Sequence, residues 1–147
     1  ISSGTYKEVF SKPLNMFMAG FSGYKNFYKV VKVSREQTSC FVYIALENKP
    51  EKAIRIEILN VENVYIKSAI IQTTDIIMSE DKIVSSARNS FKGIVQSIFK
   101  VESAYEVEID VGVPVWVKLS ESSLKELNIT FGKEMWVSFK ASAVLVF

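Results

Sequence analysis

Residues 85–93 read "SSARNSFKG", which sets two serines, an arginine and an asparagine at the mouth of a strand-like run. Two further polar groupings follow. "SESS" carries Ser120, Ser122 and Ser123 around Glu121, and "FKASAV" carries Lys140 and Ser142. Singly, Ser86 and Arg88 read as part of a turn, the serines as a helix cap, and the lysine as a solvated side chain. Together they form an inventory of hydrogen-bond donors with two cations, and Glu121 is the one carboxylate among them. That inventory suits a small tetrahedral oxyanion. Arginine presents a planar fork of donors and lysine a point charge. Serine hydroxyls donate to the remaining lone pairs, and a helix start adds free N–H groups. A dianion taken out of water needs most of its oxygens satisfied. One such mouth is too sparse to surround it, so two mouths meeting at a subunit interface are expected.

The bulk numbers narrow the alternatives. The 147 residues suit one domain or two small ones, and 48% apolar residues are enough for a core. A net charge of +2 is too small to point to nucleic acid. There is no histidine, and Cys40 is the only cysteine, which excludes a Cys/His zinc site, an internal disulfide and a His-based triad. No cation-binding metal site and no catalytic residues are expected; Asp75 and Asp110 read as turn or surface positions. No apolar run nears the roughly 20 residues that span a bilayer, and no signal-peptide pattern follows Ile1. The expectation is a cytoplasmic chain that is not itself an enzyme.

The elements that must hold these side chains read as mainly β. Residues 1–23 have helical character broken by Pro13, with Thr5 and Glu8 spaced as a capping box. Met16, Phe17, Met18 and Phe21 in this stretch expect either the chain's own barrels or another domain to pack on. From Tyr24 the period is two, and about ten short strands rich in β-branched and aromatic residues follow. One helix, "SESSLKELNI", interrupts them, capped by Ser120 or Ser122. Many short strands with one helix predict small closed barrels rather than an open sheet.

The strand series repeats itself after roughly 65 residues, too long for a solenoid period. "YKNFYKVVKV" lies over "ARNSFKGIVQ", which sets Lys25 against Arg88 and Asn26 against Asn89. "IIQTTDIIM" lies over "SFKASAVLV", which sets Gln72 against Lys140 and Thr74 against Ser142. Two copies of one small barrel are expected, over 24–80 and 81–147, with 1–23 as a preceding helical segment. The second copy is the better equipped for an anion.

The "SARN…F.G.V" opening and "FKASAV" close resemble a Mop domain, the OB-like barrel that binds molybdate and tungstate, over about residues 84–147. Residues 24–80 resemble the degenerate barrel preceding it in tandem TOBE-type arrangements. The "YKEVFSKPLNMFMAGFSGYKN" run is similar to the end of an ABC transporter ATPase domain. The resemblance implies the C-terminal regulatory region of the ATPase of a molybdate/tungstate importer. It implies Ser86, Arg88, Ser120, Ser123, Lys140 and Ser142 as oxyanion ligands drawn from two subunits. It also implies a homodimer or higher homo-oligomer, and an ATPase domain and membrane permease as partners. Anion binding would then hold the transporter at rest. Gly23 and Gln72 depart from the motif in the first copy. No GxxxxGK[ST] loop is present to cradle ATP. Two other readings stand beside this one: a passive dimerisation module of a sulfate, phosphate or sugar importer, and an OB-type single-strand binder using "YKNFYKVVK". Against the second, that run also reads as a plain strand with Phe27 inward and lysines outward.

Overall fold

The computed structural model describes residues 26–61, 65–84 and 87–147. The helical segment expected over 1–23, with Thr5, Pro13 and Gly23, lies outside them, as does Ser86. Among the described residues the chain is mainly β, with eleven strands, two single-turn 3-10 segments and one short α-helix. The first repeat supplies β1 (Asn26–Lys29), β2 (Lys32–Glu36), β3 (Ser39–Ala45), β4 (Ala53–Ile58), β5 (Ser68–Ile71), the first 3-10 turn (Thr73–Asp75) and β6 (Ile77–Ser79). The second supplies β7 (Asn89–Val101), β8 (Ala104–Asp110), β9 (Pro114–Ser120), helix α1 (Glu121–Glu126), β10 (Glu134–Phe139), the second 3-10 turn (Ala141–Ala143) and β11 (Val144–Val146).

Period-two alternation explains why these runs are strands. On β3 it turns Cys40, Val42 and Ile44 inward, and on β8 and β9 it buries Val107, Ile109, Val115 and Val117. Each such side chain contributes roughly 1.5–3 kcal/mol relative to exposure. The alternation of β1 falls the other way from the sequence expectation. Asn26 and Tyr28 are buried, and Phe27 is only half-buried, edge-on to Phe147 at 6.2 Å. A polar residue goes inward here because both its amide groups find partners, described below.

All strand pairs are antiparallel, and the repeats obey one register. On β1 and β5, Asn26 faces Ile71 and Lys29 faces Ser68. On β7 and β10, Asn89 faces Phe139 and Lys92 faces Trp136. The repeat seen in sequence is therefore also a repeat of pairing. The last strands are exchanged. β11 lies on the free side of β5, with Leu145 opposite Ile70. β6 lies on the free side of β10, with Ile77 opposite Ser138. Sheet pairing thus crosses residue 80, and neither repeat completes its ladder without the other's final strand. The buried residues of both repeats form one continuous core.

Gly93 on β7 stands where the first repeat has Val30. A Cβ at Gly93 would lie 2.5 Å from the Asp110 carbonyl oxygen and 2.6 Å from a Val111 methyl. Only glycine allows β7 to pass this close to the end of β8. The glycine of the "F.G.V" pattern is explained by this approach.

Candidate functional site

The site begins at the end of the β7–β10 ladder. Its last pair is Asn89 with Phe139, so Arg88 and Lys140 leave the two strands at the same end. Both are exposed. One step inside, Ser90 and Ser138 share a hydroxyl hydrogen bond of 3.0 Å. Lys140 is the N-cap of the second 3-10 turn, and its carbonyl accepts from the Ala143 N–H at 3.0 Å. This turn packs on β4 of the first repeat.

Asn89 locks that contact. Its Nδ2 donates to the Glu57 carbonyl at 3.0 Å, and its Oδ1 accepts from the Glu57 N–H at 2.8 Å. Asn26 does the same in the other direction, donating to the Trp116 carbonyl at 2.8 Å and accepting from the Trp116 N–H at 2.7 Å. Each repeat thus grips the outer strand of the other with one buried amide. These bonds satisfy strand-edge groups that would otherwise be costly to bury. The asparagine of the "SARN" motif is therefore a structural clamp that fixes where Arg88 emerges.

The Asn26 clamp carries an extra member. The Tyr28 hydroxyl donates to the Pro114 carbonyl at 2.6 Å and lies 3.1 Å from Asn26 Oδ1. Burial first, and the Glu47 charge second, push ionisation of this phenol above its ordinary range. In the second repeat Phe91 holds the matching position.

A cavity of about 420 Å³ opens where the two 3-10 turns meet. Lys140 and Ser142 line it, with Phe139 beneath and Ala87, the neighbour of Arg88, beside them. Thr74 and Asp75 of the first turn complete the wall. The structure therefore brings Lys140 and Ser142 together and places Arg88 at the same strand end.

The serines of α1 stand apart from that cavity. Ser120 is the N-cap of α1, as one of the two sequence alternatives has it, and its hydroxyl accepts from the Ser123 N–H at 3.2 Å. Ser120 Oγ also lies 3.1 Å from Ser123 Oγ and 3.2 Å from Ser122 Oγ. Helix α1 is shorter than the run expected to form it. It stops at Glu126 because Asn128 adopts a left-handed φ of 50° and Lys133 Nζ bonds the Leu127 carbonyl at 2.5 Å. The same ammonium pairs with Glu80 at 2.8 Å, which ties the helix to the residue after β6. None of the three serines is among the cavity's lining residues. Within one chain the five expected ligands among the described residues therefore form two groups: Arg88, Lys140 and Ser142 at the strand end, and Ser120 and Ser123 at α1.

Sequence reasoning did not single out Asn89, Asn26 or Asp75 as shaping the site. The alignment of Asn26 with Asn89 was the visible signal for the two clamps. Among the described residues, no cluster of three or more Cys, Asp or Glu could hold a metal cation, and no helix is long and apolar enough to cross a membrane.

Comparison with known proteins agrees with this architecture. Residues 85–146 match the TOBE domain. Over its whole length the chain aligns with the C-terminal part of "Molybdate/tungstate import ATP-binding protein WtpC" of Pyrococcus abyssi (strain GE5 / Orsay), at 32% identity over 148 residues. The protein of the same description from Pyrococcus horikoshii is 29% identical over 148 residues. Both alignments take in 100% of this chain and 39% of the relative, so the chain spans about two fifths of the length of these curated relatives. Among solved structures, the cytoplasmic molybdate-binding protein ModG, in a crystal form with molybdate bound, superposes with a TM-score of 0.60 at 18% identity. That match covers 84% of this chain and 95% of ModG, more than either repeat alone, so the shared fold includes both repeats.

Proposed function

We propose that this chain is the regulatory, oxyanion-sensing region of the ATPase of a molybdate/tungstate ABC importer. One observation carries the reading: Arg88 and Lys140 leave neighbouring strands at one end, over a cavity that Lys140 and Ser142 line. A lysine and a hydroxyl lining the cavity, with an arginine at the same strand end, are suited to a divalent tetrahedral anion. The alignment with import ATPases over the full chain, and the fold shared with a molybdate-binding protein, support the choice of anion.

The cavity's side-chain donors are Lys140, Ser142 and Thr74. All three residues are exposed, so on their own they leave one side of a bound dianion facing solvent. Ser120 is exposed and Ser123 half-buried, and neither lines the cavity. Supplied by a second copy of the chain, they complete the shell. The anion then lies between two copies, and binding it favours the paired state over the separated one. In the intact transporter such pairing at the cytoplasmic face holds two ATPase subunits in a resting arrangement, which is trans-inhibition by the imported ion.

Calorimetric titration with tungstate tests this. The chain is expected to bind tungstate with at least a hundredfold preference over sulfate, which is too small to reach all the donors. Sedimentation should report a larger species with tungstate than without. Equal affinity for tungstate, sulfate and phosphate would return the chain to a passive dimerisation module.

A further inference from the structure

The cavity between the two 3-10 turns has one wall that works against an anion. Asp75 lines it together with Lys140 and Ser142. The second repeat has Ala143 at the position Asp75 holds in the first, so the carboxylate is peculiar to the first turn. Asp75 is exposed, and its backbone N–H bonds the Gln72 carbonyl at 3.0 Å, which fixes the turn that presents it. Among the described residues no Lys or Arg forms an ion pair with it. Asp75 therefore lines the cavity without an ion pair from the described chain.

We propose that Asp75 sets the strength and charge selectivity of anion binding in this cavity, by opposing with a fixed negative charge the anion that Lys140 and Ser142 attract. The inference rests on the oxyanion reading above. Coulomb repulsion between Asp75 and a bound anion grows with the anion's charge, so a dianion is penalised about twice as much as a monoanion of the same shape. In a cavity open to solvent the effect is moderate and screened by salt. Its consequence is a weaker site that empties when the anion becomes scarce, as a sensor requires and a storage site does not.

The test uses the full chain with two probes of one shape and different charge, tungstate and the tetrahedral monoanion perrhenate. Asp75→Asn keeps the shape and removes the charge, and Asp75→Ala installs the residue type of the second repeat. Glu51→Gln, on the exposed β3–β4 turn, controls for net charge alone. At low salt both Asp75 variants are expected to bind tungstate about three- to tenfold more tightly than the wild type. The gain for perrhenate should be smaller, both gains should shrink as salt is raised, and Glu51→Gln should change neither by as much as twofold. If the wild type binds tungstate and the Asp75 variants bind it equally or less well, or gain equally for both probes, the role given to Asp75 is wrong and the oxyanion reading stands. If neither wild type nor variants bind tungstate, the oxyanion reading falls and this inference with it.

Discussion

The two repeats carry the same turn at the same point of the same ladder, and yet only the second turn carries Lys140 and Ser142. Gln72 and Lys140 cap equivalent 3-10 turns, and each turn packs on an outer strand of the opposite repeat. The first turn continues Thr-Thr-Asp and the second Ala-Ser-Ala. Among the described residues the first repeat has no helix between β4 and β5, whereas the second has α1 after β9, with Ser120 as its cap and Ser122 and Ser123 in its first turn. Backbone pairing has been kept in both copies, while the proposed ligand residues occur in the second. The first repeat acts as scaffold: it donates β6 to β10, receives β11 on β5, and anchors the site through Glu57.

Making the second repeat resemble the first at its tightest point should give the largest effect. Gly93→Val installs the residue type of Val30 against backbone and side-chain atoms of β8 and its following turn. We expect a loss of about 3 kcal/mol or more, read from denaturant unfolding. The matched change Val30→Ala, in the first repeat, should cost less, about 1–2 kcal/mol. Equal losses would mean the repeats are packed alike at this position.

The clamps come next. Asn89→Ala and Asn26→Ala each strand two backbone groups, for about 2–3 kcal/mol apiece. They should differ in function. Asn89→Ala also frees the strand end that presents Arg88, so tungstate affinity should fall together with stability. Asn26→Ala should spare affinity in whatever fraction remains folded. A matched fall in affinity for both would erase the functional distinction between the repeats.

Exchanging the capping residues of the two turns sharpens the comparison at smaller cost to the fold. Lys140→Gln should weaken tungstate binding at least tenfold, about 1.4 kcal/mol, with unfolding nearly unchanged. Gln72→Lys should not create a second binding event in a titration, because among its described residues the first repeat has no serine-bearing helix to complete a shell. Two binding events would show that the lysine alone makes a site.

The smallest effect concerns Tyr28, which only the first repeat possesses. Its phenol stays protonated in the fold, while in the unfolded chain it ionises near pH 10. The folded chain then holds a proton the unfolded one has lost, so stability present below about pH 10 declines as pH rises past it. Tyr28→Phe should remove up to one proton of this alkaline slope, about 1.4 kcal/mol per pH unit. At neutral pH it should cost about 1 kcal/mol for the lost bond to Pro114.

Much of this was legible in the sequence, because local pattern determines it. Period-two runs marked the strands, Ser120 announced the helix cap, and aligning Asn26 with Asn89 and Gln72 with Lys140 located equivalent places in three dimensions. The exchange of β6 and β11 was not legible. Because β5 and β10 present the same register, either final strand suits either partner, and only the connection between repeats decides. The inward turn of Asn26 was also hidden. A single sequence gives no sign that an asparagine has both amide partners waiting on a strand some ninety residues away. Asp75 was read as a turn residue, and it is one; that the turn faces the cavity depends on how the two repeats dock.

The most direct measurement is a crystal of the chain grown with tungstate, with data collected at the tungsten absorption edge. The account predicts one strong anomalous peak per chain, within hydrogen-bonding reach of Arg88, Lys140 and Ser142 of one copy and of Ser120 and Ser123 of another. A peak elsewhere, or no peak with those five side chains turned away from one another, would contradict it.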